Sequence, residues 1–287
     1  MKVLITGADG QVGRELVEMG RLLSYEIIEA DREVLDITDS GAVRSFCENI
    51  RPEAIINAAA YTAVDDAELE PELAFLVNSE AVKYLASAAK ELQIPLLHIS
   101  TDYVFDGAKP EHYNEEDSTS PINVYGRSKR QGEIYLVESG AHYFILRTSW
   151  VFGRHGSNFV KTMMRLAKDR DELSVINDQF GGPTSAIDIS AALYKALAVI
   201  LKDPTLSGIY HYSGAPEVSW FEFAGEIIKM GVETGKISDP PIIKPITSDE
   251  YPVAATRPKN SRLNCARFSR VFNEASPSWR EQLLGVI

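Results

Sequence analysis

With two cysteines in 287 residues, Cys47 and Cys265, far apart in the chain, the sequence lacks a disulfide framework. There is no CxxC, no HExxH, and the five histidines (98, 112, 142, 155 and 211) are scattered, which argues against a structural zinc site. Excess positive charge is absent too: the formal net charge is −12. A phosphate-backbone partner needs the opposite sign, so nucleic acid is not expected, while a small anionic ligand stays compatible because local charge decides that. No apolar run approaches membrane-spanning length, and the opening MKVLITGADG reaches glycine too soon for a signal-peptide core. The expectation is a soluble cytoplasmic protein without a membrane partner, its cysteines serving as buried apolar filler.

What is present is an alternation of short β-branched runs with helical periodicities. KVLIT (2–6), YEIIEA (25–30), AIINAA (54–59), PLLHIST (95–101) and HYFILRTS (142–149) read as strands. Segments 11–23, 40–50 (Ser40 as N-cap), 71–92 (one long helix or a broken pair) and 123–139 read as helices. That order predicts an α/β fold, a doubly wound parallel sheet of the Rossmann type. The second half is less regular. It has helices at 157–169 and 185–203, strands at 173–176 and 208–214, and prolines breaking the chain after 215. The expected division is a dinucleotide-binding domain over 1–147 and a smaller substrate lobe over 148–287, with 184–212 returning to the first domain.

GADGQVG (7–13) stands between the first strand and the first helix, where glycines let a diphosphate approach the backbone and a helix N-terminus faces it. Gly7, Asp9, Gly10, Gln11, Val12 and Gly13 are its candidate contacts. No GxxxxGK[ST] occurs, so a P-loop is excluded. Asp31, closing the second strand, is placed to accept hydrogen bonds from an adenosine ribose, which favours NADH, although Arg32 could receive the 2′-phosphate of NADPH. Asp36 and Ile37 are candidate adenine-side contacts, with a turn-capping aspartate as the bland alternative. Ala58, Ala59 and Ala60 keep the end of the third strand small enough for a dinucleotide to cross it.

STDYVF (100–105) and YGRSK (125–129) bring a hydroxyl, a tyrosine and a lysine four residues after it. Carbonyl reduction leaves an oxyanion that needs a proton, and a nearby ammonium is expected to lower the tyrosine toward working pH. Ser100 and Thr101 point opposite ways on an extended strand, so one of them faces the substrate. His98 reads as a core or edge histidine, Trp220, Phe221 and Phe223 as lobe core, and the acidic run 115–117 as a solvated loop.

In order along the chain, GADGQVG, NAAAYTAVDDAE, STDYVFDG, SPINVYGRSKRQGE, RTSWVFG, SVINDQFGGPT and RPKNSRL resemble the extended short-chain dehydrogenase/reductase superfamily, and within it the dTDP-4-dehydrorhamnose reductase family. The resemblance covers almost the whole chain. It implies NAD(P)H-dependent reduction of a dTDP-4-keto sugar. It selects Thr101 as the hydroxyl, Tyr125 as proton donor and Lys129 as the cation that holds the nicotinamide ribose. It also implies substrate contacts at Thr62, Val64, Asp102, Tyr103, Trp150, Asn158, Phe159 and Arg257, with Arg262 beside Arg257 in a basic pocket. Dehydratases of the superfamily carry TDE where this chain has TDY, which counts against elimination. Metal-bridged homodimers occur among members. Glu15 is available for such a site, but no full ligand set accompanies it, so no Mg²⁺ is expected, and a homodimer is compatible. Two other readings remain: reduction of another nucleotide-diphosphate 4-keto sugar, and a non-catalytic regulatory subunit of methionine adenosyltransferase. The intact YxxxK argues against the second.

Overall fold

The computed structural model describes residues 1–287. The main elements, in chain order, are β1 (Lys2–Thr6), α1 (Gln11–Leu22), β2 (Glu26–Ala30), α2 (Ser40–Ile50), β3 (Ala54–Asn57), α3 (Ala81–Leu92), β4 (Leu96–Thr101), α4 (Val124–Glu138) and β5 (Tyr143–Thr148). They continue with α5 (Phe159–Asp169), α6 (Ala186–Ile200), β6 (Gly208–His211), α7 (Trp220–Glu233) and α8 (Ala266–Phe272). The six strands form one parallel sheet in the order β6-β5-β4-β3-β1-β2. No helix is long and apolar enough to cross a membrane.

Alternating side chains on each strand feed two separate cores. Val3, Ile5, Leu97, Phe144 and Leu146 pack under α1, α6 and α8, whereas Leu4, Ile55, Leu96 and Ile145 pack under α2, α3 and α4. A parallel sheet covered on both faces needs apolar strands throughout, which is why β1 and β3 read as continuous runs. The lobe has its own core. Phe152, Val160, Met163, Phe223, Ile227 and Trp279 gather between α5 and α7. Beside them strand Glu172–Ile176 pairs in parallel with Ile242–Ile246.

The structure differs from the sequence reading in several places. The N-cap of α2 is Asp39, not Ser40: its Oδ1 accepts from the backbone N–H groups of Gly41 and Ala42 at 2.8 and 3.0 Å. A carboxylate bonding two orphan N–H groups one residue upstream outcompetes the serine. Strand Ile242–Ile246 lies in a stretch read as loop because of Pro240, Pro241 and Pro245. Proline is tolerated on an edge strand such as this one. Helix α7, 14 residues long, exceeds the loops and short helices expected after 215, and Ser219 and Glu222 form a capping box at its start. The 71–92 segment is one continuous helical stretch whose middle, Leu76–Glu80, widens into a π turn. Alongside α6 and β6, helix α8 also packs on the sheet, through Phe268 and Phe272.

Under α4 lies a fully buried ion pair. Arg147 on β5 donates through Nε and Nη2 to the two carboxylate oxygens of Glu133 at 2.8 and 2.7 Å, and Ser100 on β4 donates to Oε1 at 2.6 Å. Burial pushes the Glu133 carboxyl up, but the charge and hydrogen bonds of Arg147, with help from Ser100 and Arg130, outweigh it and hold the group below its ordinary value. Of the acidic run 115–117, read as solvated, Glu116 is exposed, while its two neighbours brace this region. Glu115 accepts from the His211 backbone N–H and lends its own carbonyl to Arg147, while Asp117 pairs with Lys109. Replacing Glu133 with leucine leaves Arg147 buried and unpaired, which costs about 3–5 kcal/mol. Chemical denaturation should show that loss, and the double change Glu133→Leu/Arg147→Met should recover most of it. A carboxyl with a lowered folded value contributes stability above its unfolded value and loses it as pH falls through the folded one. The wild-type advantage over the double variant should therefore shrink in acid.

Candidate active site

Strand order reverses between β2-β1 and β3-β4, and the crevice outside the carboxyl ends of the strands there is where α/β sheets bind ligands. A cavity of about 390 Å³ occupies it. It is lined by Gly7, Asp9 and Gly10 from the glycine loop, by Asp31, Arg32, Asp36 and Ile37 after β2, and by Ala58, Ala59 and Ala60 after β3. Gln11, Val12 and Gly13 lie beyond its wall, in the first turn of α1. Gly7 has φ +68°, and a Cβ there would come within 2.6 Å of Ala59, so the loop keeps its close approach to β3 only with glycine. Asp31 Oδ1 accepts from the N–H groups of Glu33 and Val34, both at 2.9 Å, which fixes the carboxylate at the cavity edge. Asp36 caps its own turn, accepting from the hydroxyl and backbone N–H of Thr38, and also lines the cavity. Those two bonds, hydroxyl first, hold its carboxyl below the ordinary value.

Asn123 starts the reaction-centre helix α4 by capping Gly126 N–H at 2.7 Å. A Cβ on Gly126 would stand 2.2 Å from the Tyr103 carbonyl, so the TDY turn and the helix meet in direct contact. On this seam the Tyr103 and Tyr125 rings pack edge to face at 5.5 Å. Thr101 Oγ1 accepts from Tyr103 N–H at 3.2 Å and lies 3.1 Å from Asp102 Oδ1. Ser100 points the other way, to Glu133, so the strand does separate the two hydroxyls. Asn78, in the π turn, accepts from Tyr61 N–H and donates to Tyr61 O and Ser128 Oγ, joining the loop after β3 to α4. Local distortion of a helix at a functional site is a recurrent use of such turns. Nothing in the sequence periodicity marks Asn78.

Lys129 is 2% exposed. Its Nζ donates to the Ile99 carbonyl at 2.7 Å and lies 3.3 Å from His98 Nε2. Burial lowers it to about 8, against a smaller upward pull from Glu133. Tyr125 does not follow the expectation of a depressed phenol. Burial pushes it up to about 12, the Thr101 hydroxyl opposes, and the Asp102 charge adds to the rise. Lys129 has turned its charge to the backbone of β4, so it does not offset the loss of water around the phenol. Asp102 is buried with Oδ2 unpartnered, and burial raises it to about 7 against the Ser261 and Thr101 hydroxyls.

The remaining candidates divide into two groups. Thr62 is exposed in the loop after β3, and Val64 opens the short helix Val64–Leu69. Asp65 of that helix takes both terminal nitrogens of Arg257, at 3.2 and 2.6 Å. Arg257 is therefore paired, and Arg262 is spent on Asn260 Oδ1 and the Pro110 carbonyl, so the two do not form the basic pocket the sequence suggested. Charge on Arg257, Asp65 and Asp102 is nonetheless felt at Tyr103, whose ring packs on Tyr125. Trp150, Asn158 and Phe159 belong to the lobe side. Thr148 pairs with Thr101 in the sheet, and Trp150 follows two residues later, past the strand end, with its ring against Gly181 of the lobe. Its backbone is left-handed, φ +49°, and its ring stacks on Trp220 at 3.6 Å. Strain of this kind persists where packing enforces it. Phe159 lies against the same Trp220, 4.5 Å away, and Trp220 and Phe221 pack on Phe223 and the lobe core as the sequence reading has them. Asn158 caps α5 and donates to Gln11 Oε1 at 2.7 Å, tying the lobe to the glycine loop. Glu15 gives both oxygens to Arg154, and Glu18 and His155 stand beside them, so this cluster already has a cation as its counter-charge.

A family model described as the RmlD substrate binding domain matches residues 1–287. The dTDP-4-dehydrorhamnose reductase of Aggregatibacter actinomycetemcomitans is 45% identical, over 99% of this chain and 98% of that one. The chain belongs to the dTDP-4-dehydrorhamnose reductase family. Among solved structures, the Bacillus anthracis reductase of this family, in complex with NADP, superposes with a TM-score of 0.92 at 40% identity, covering 99% of this chain and 98% of its own. The Clostridium acetobutylicum member gives the same TM-score of 0.92 at 38% identity, covering 100% and 98%. Membership makes the chain an oxidoreductase with a Rossmann fold.

The Asp102 carboxyl carries a stability signature. A group raised above its unfolded value favours the folded state below that unfolded value and loses this contribution as pH rises through the folded one, here between about 4 and about 7. In urea titrations of the cofactor-free protein, Asp102→Asn should therefore gain on wild type as pH rises across that window. A difference that is constant with pH contradicts the assignment.

Proposed function

We propose that this chain reduces the 4-keto group of dTDP-4-dehydro-L-rhamnose to dTDP-L-rhamnose with NADH or NADPH. The observation that carries the reading is a full-length family match, supported by the placement of Tyr125 and Lys129 on α4, the helix packed against the end of β4 that carries Thr101.

The nicotinamide dinucleotide supplies the hydride. The glycine loop and the first turn of α1 hold its diphosphate, and the small side chains of Ala58 to Ala60 let it cross the sheet. Asp31 accepts from the adenosine ribose, which leans the preference to NADH, while Arg32 in the same cavity gives a 2′-phosphate a partner. Tyr125 delivers the proton to the sugar oxygen. As a phenol raised to about 12 it stays protonated throughout the working range, and an alkoxide is basic enough to take its proton. Thr101 donates to the same oxygen and stabilises the developing charge. Lys129 would hold the nicotinamide ribose of a bound cofactor, and its charge, turned from the Ile99 carbonyl toward Tyr125, would favour the phenolate. Thr62, Val64 and Trp150 take the sugar side of the site with Asp102 and Tyr103, Asn158 and Phe159 the nucleotide side, and Arg257, held by Asp65, faces the diphosphate.

The test is oxidation of NADH or NADPH by the pure protein with dTDP-4-dehydro-L-rhamnose, beside the UDP and GDP 4-keto sugars. Turnover is expected with the dTDP sugar, and none with either cofactor would sink the proposal. Tyr125→Phe should lose about 10²–10⁴-fold in kcat while still binding cofactor.

A further inference from the structure

His98 lies in the middle of β4 and is completely buried. Sheet register puts Thr6 opposite Asn57 and Asn57 opposite His98, so three polar side chains line up across β1, β3 and β4. Buried polar groups need partners, and the partners here fix one another. The Ala59 backbone N–H donates to Asn57 Oδ1 at 3.1 Å, and the Thr6 hydroxyl donates to the same oxygen at 2.7 Å. A backbone N–H has no other role, so the Asn57 amide has one orientation. Its Nδ2, a donor, then faces His98 Nδ1 at 3.1 Å. Nδ1 must accept, and the proton of a neutral imidazole must sit on Nε2.

That N–H points at Lys129, with Nε2 and Nζ 3.3 Å apart. An N–H cannot accept from an ammonium, but it can donate to the lone pair of a neutral amine. We propose that His98 is a positioning residue for Lys129: locked as the Nε2–H tautomer by Thr6, Asn57 and Ala59, it favours the neutral amine over the ammonium and so lets Lys129 change charge during turnover. The role rests on the reductase reading given above.

The surroundings agree. Burial, and then the charge of Lys129, hold His98 well below its ordinary value, so the ring stays neutral. Lys129 itself is lowered to about 8. On its own helix it shares the neighbourhood with Tyr125 and with Glu133, whose carboxylate favours the ammonium. On β5 the Arg147 charge is taken up by Glu133, on β3 Asn57 is uncharged, and at the end of β4 Asp102 acts on Tyr125. Glu133 and His98 thus pull Lys129 in opposite directions.

Two measurements test this. In cofactor-free protein labelled with ¹⁵N-histidine, His98 should show a neutral ring protonated at Nε2 from about pH 5.5 to 9, on either side of the ordinary imidazole value. A ring protonated at Nδ1, or a charged one, overturns the proposal. This measurement needs neither a variant nor activity, so it stands even if the reductase reading fails for lack of turnover. In His98→Gln the side-chain oxygen can accept from the ammonium. The alkaline limb of kcat/KM should move up by about one pH unit, a tenfold change in proton affinity. A folded, cofactor-binding variant that loses rate with the limb unmoved would mean a purely structural histidine.

Discussion

The buried pairing of Glu133 with Arg147, with Ser100 as third member, is the constraint on which the rest of the site depends. A buried ion pair adds little net stability, because desolvation consumes most of the Coulomb gain. What it adds here is position. Glu133 lies one turn after Lys129, Arg147 belongs to β5 and Ser100 stands next to Thr101. The pair sets the depth and register of α4 against the strand that carries the hydroxyl. The seams at Gly126 and Asn78 then bring the first turn of the helix against the TDY turn and the loop after β3.

Electrostatics follow from that placement. Sinking α4 onto the sheet buries Lys129 and Asp102 and half-buries Tyr125, and loss of water moves all three toward their neutral forms. Neighbours trim each shift: Glu133 for Lys129, Thr101 for Tyr125, Ser261 and Thr101 for Asp102. The polar row Thr6–Asn57–His98 runs from the end of the strand before the glycine loop to Lys129. The strand that feeds the dinucleotide cavity and the reaction centre are therefore parts of one hydrogen-bonded unit.

The alternation of strands and helices was legible because a parallel sheet covered on both faces writes apolar runs and 3.6-residue periods into the chain. The glycine loop, Asp31, Tyr125 and Lys129 could be singled out because their chemistry needs fixed spacings beside a strand end, whereas spacing left Ser100 and Thr101 open and the family resemblance chose between them. Other features are not written locally. Asp39 takes the cap from Ser40, Pro245 sits on a tolerated edge, and α8 returns to the sheet from deep inside the lobe segment. The pairing of Arg257 with Asp65 joins residues 192 apart. His98 reads as core because nothing in the sequence shows that register aligns it with Asn57 and Thr6. The depressed phenol failed because spacing places Tyr125 and Lys129 on one helix face but does not say where the ammonium turns.

The most direct test of this account is a crystal structure of the protein with NADH. The adenosine should lie at Asp31, the diphosphate at Gly7 and Gly10, and the nicotinamide ribose between Tyr125 and Lys129, with the Glu133–Arg147 pair unchanged beneath them. A dinucleotide bound elsewhere, or a nicotinamide ribose out of reach of Lys129, would contradict it.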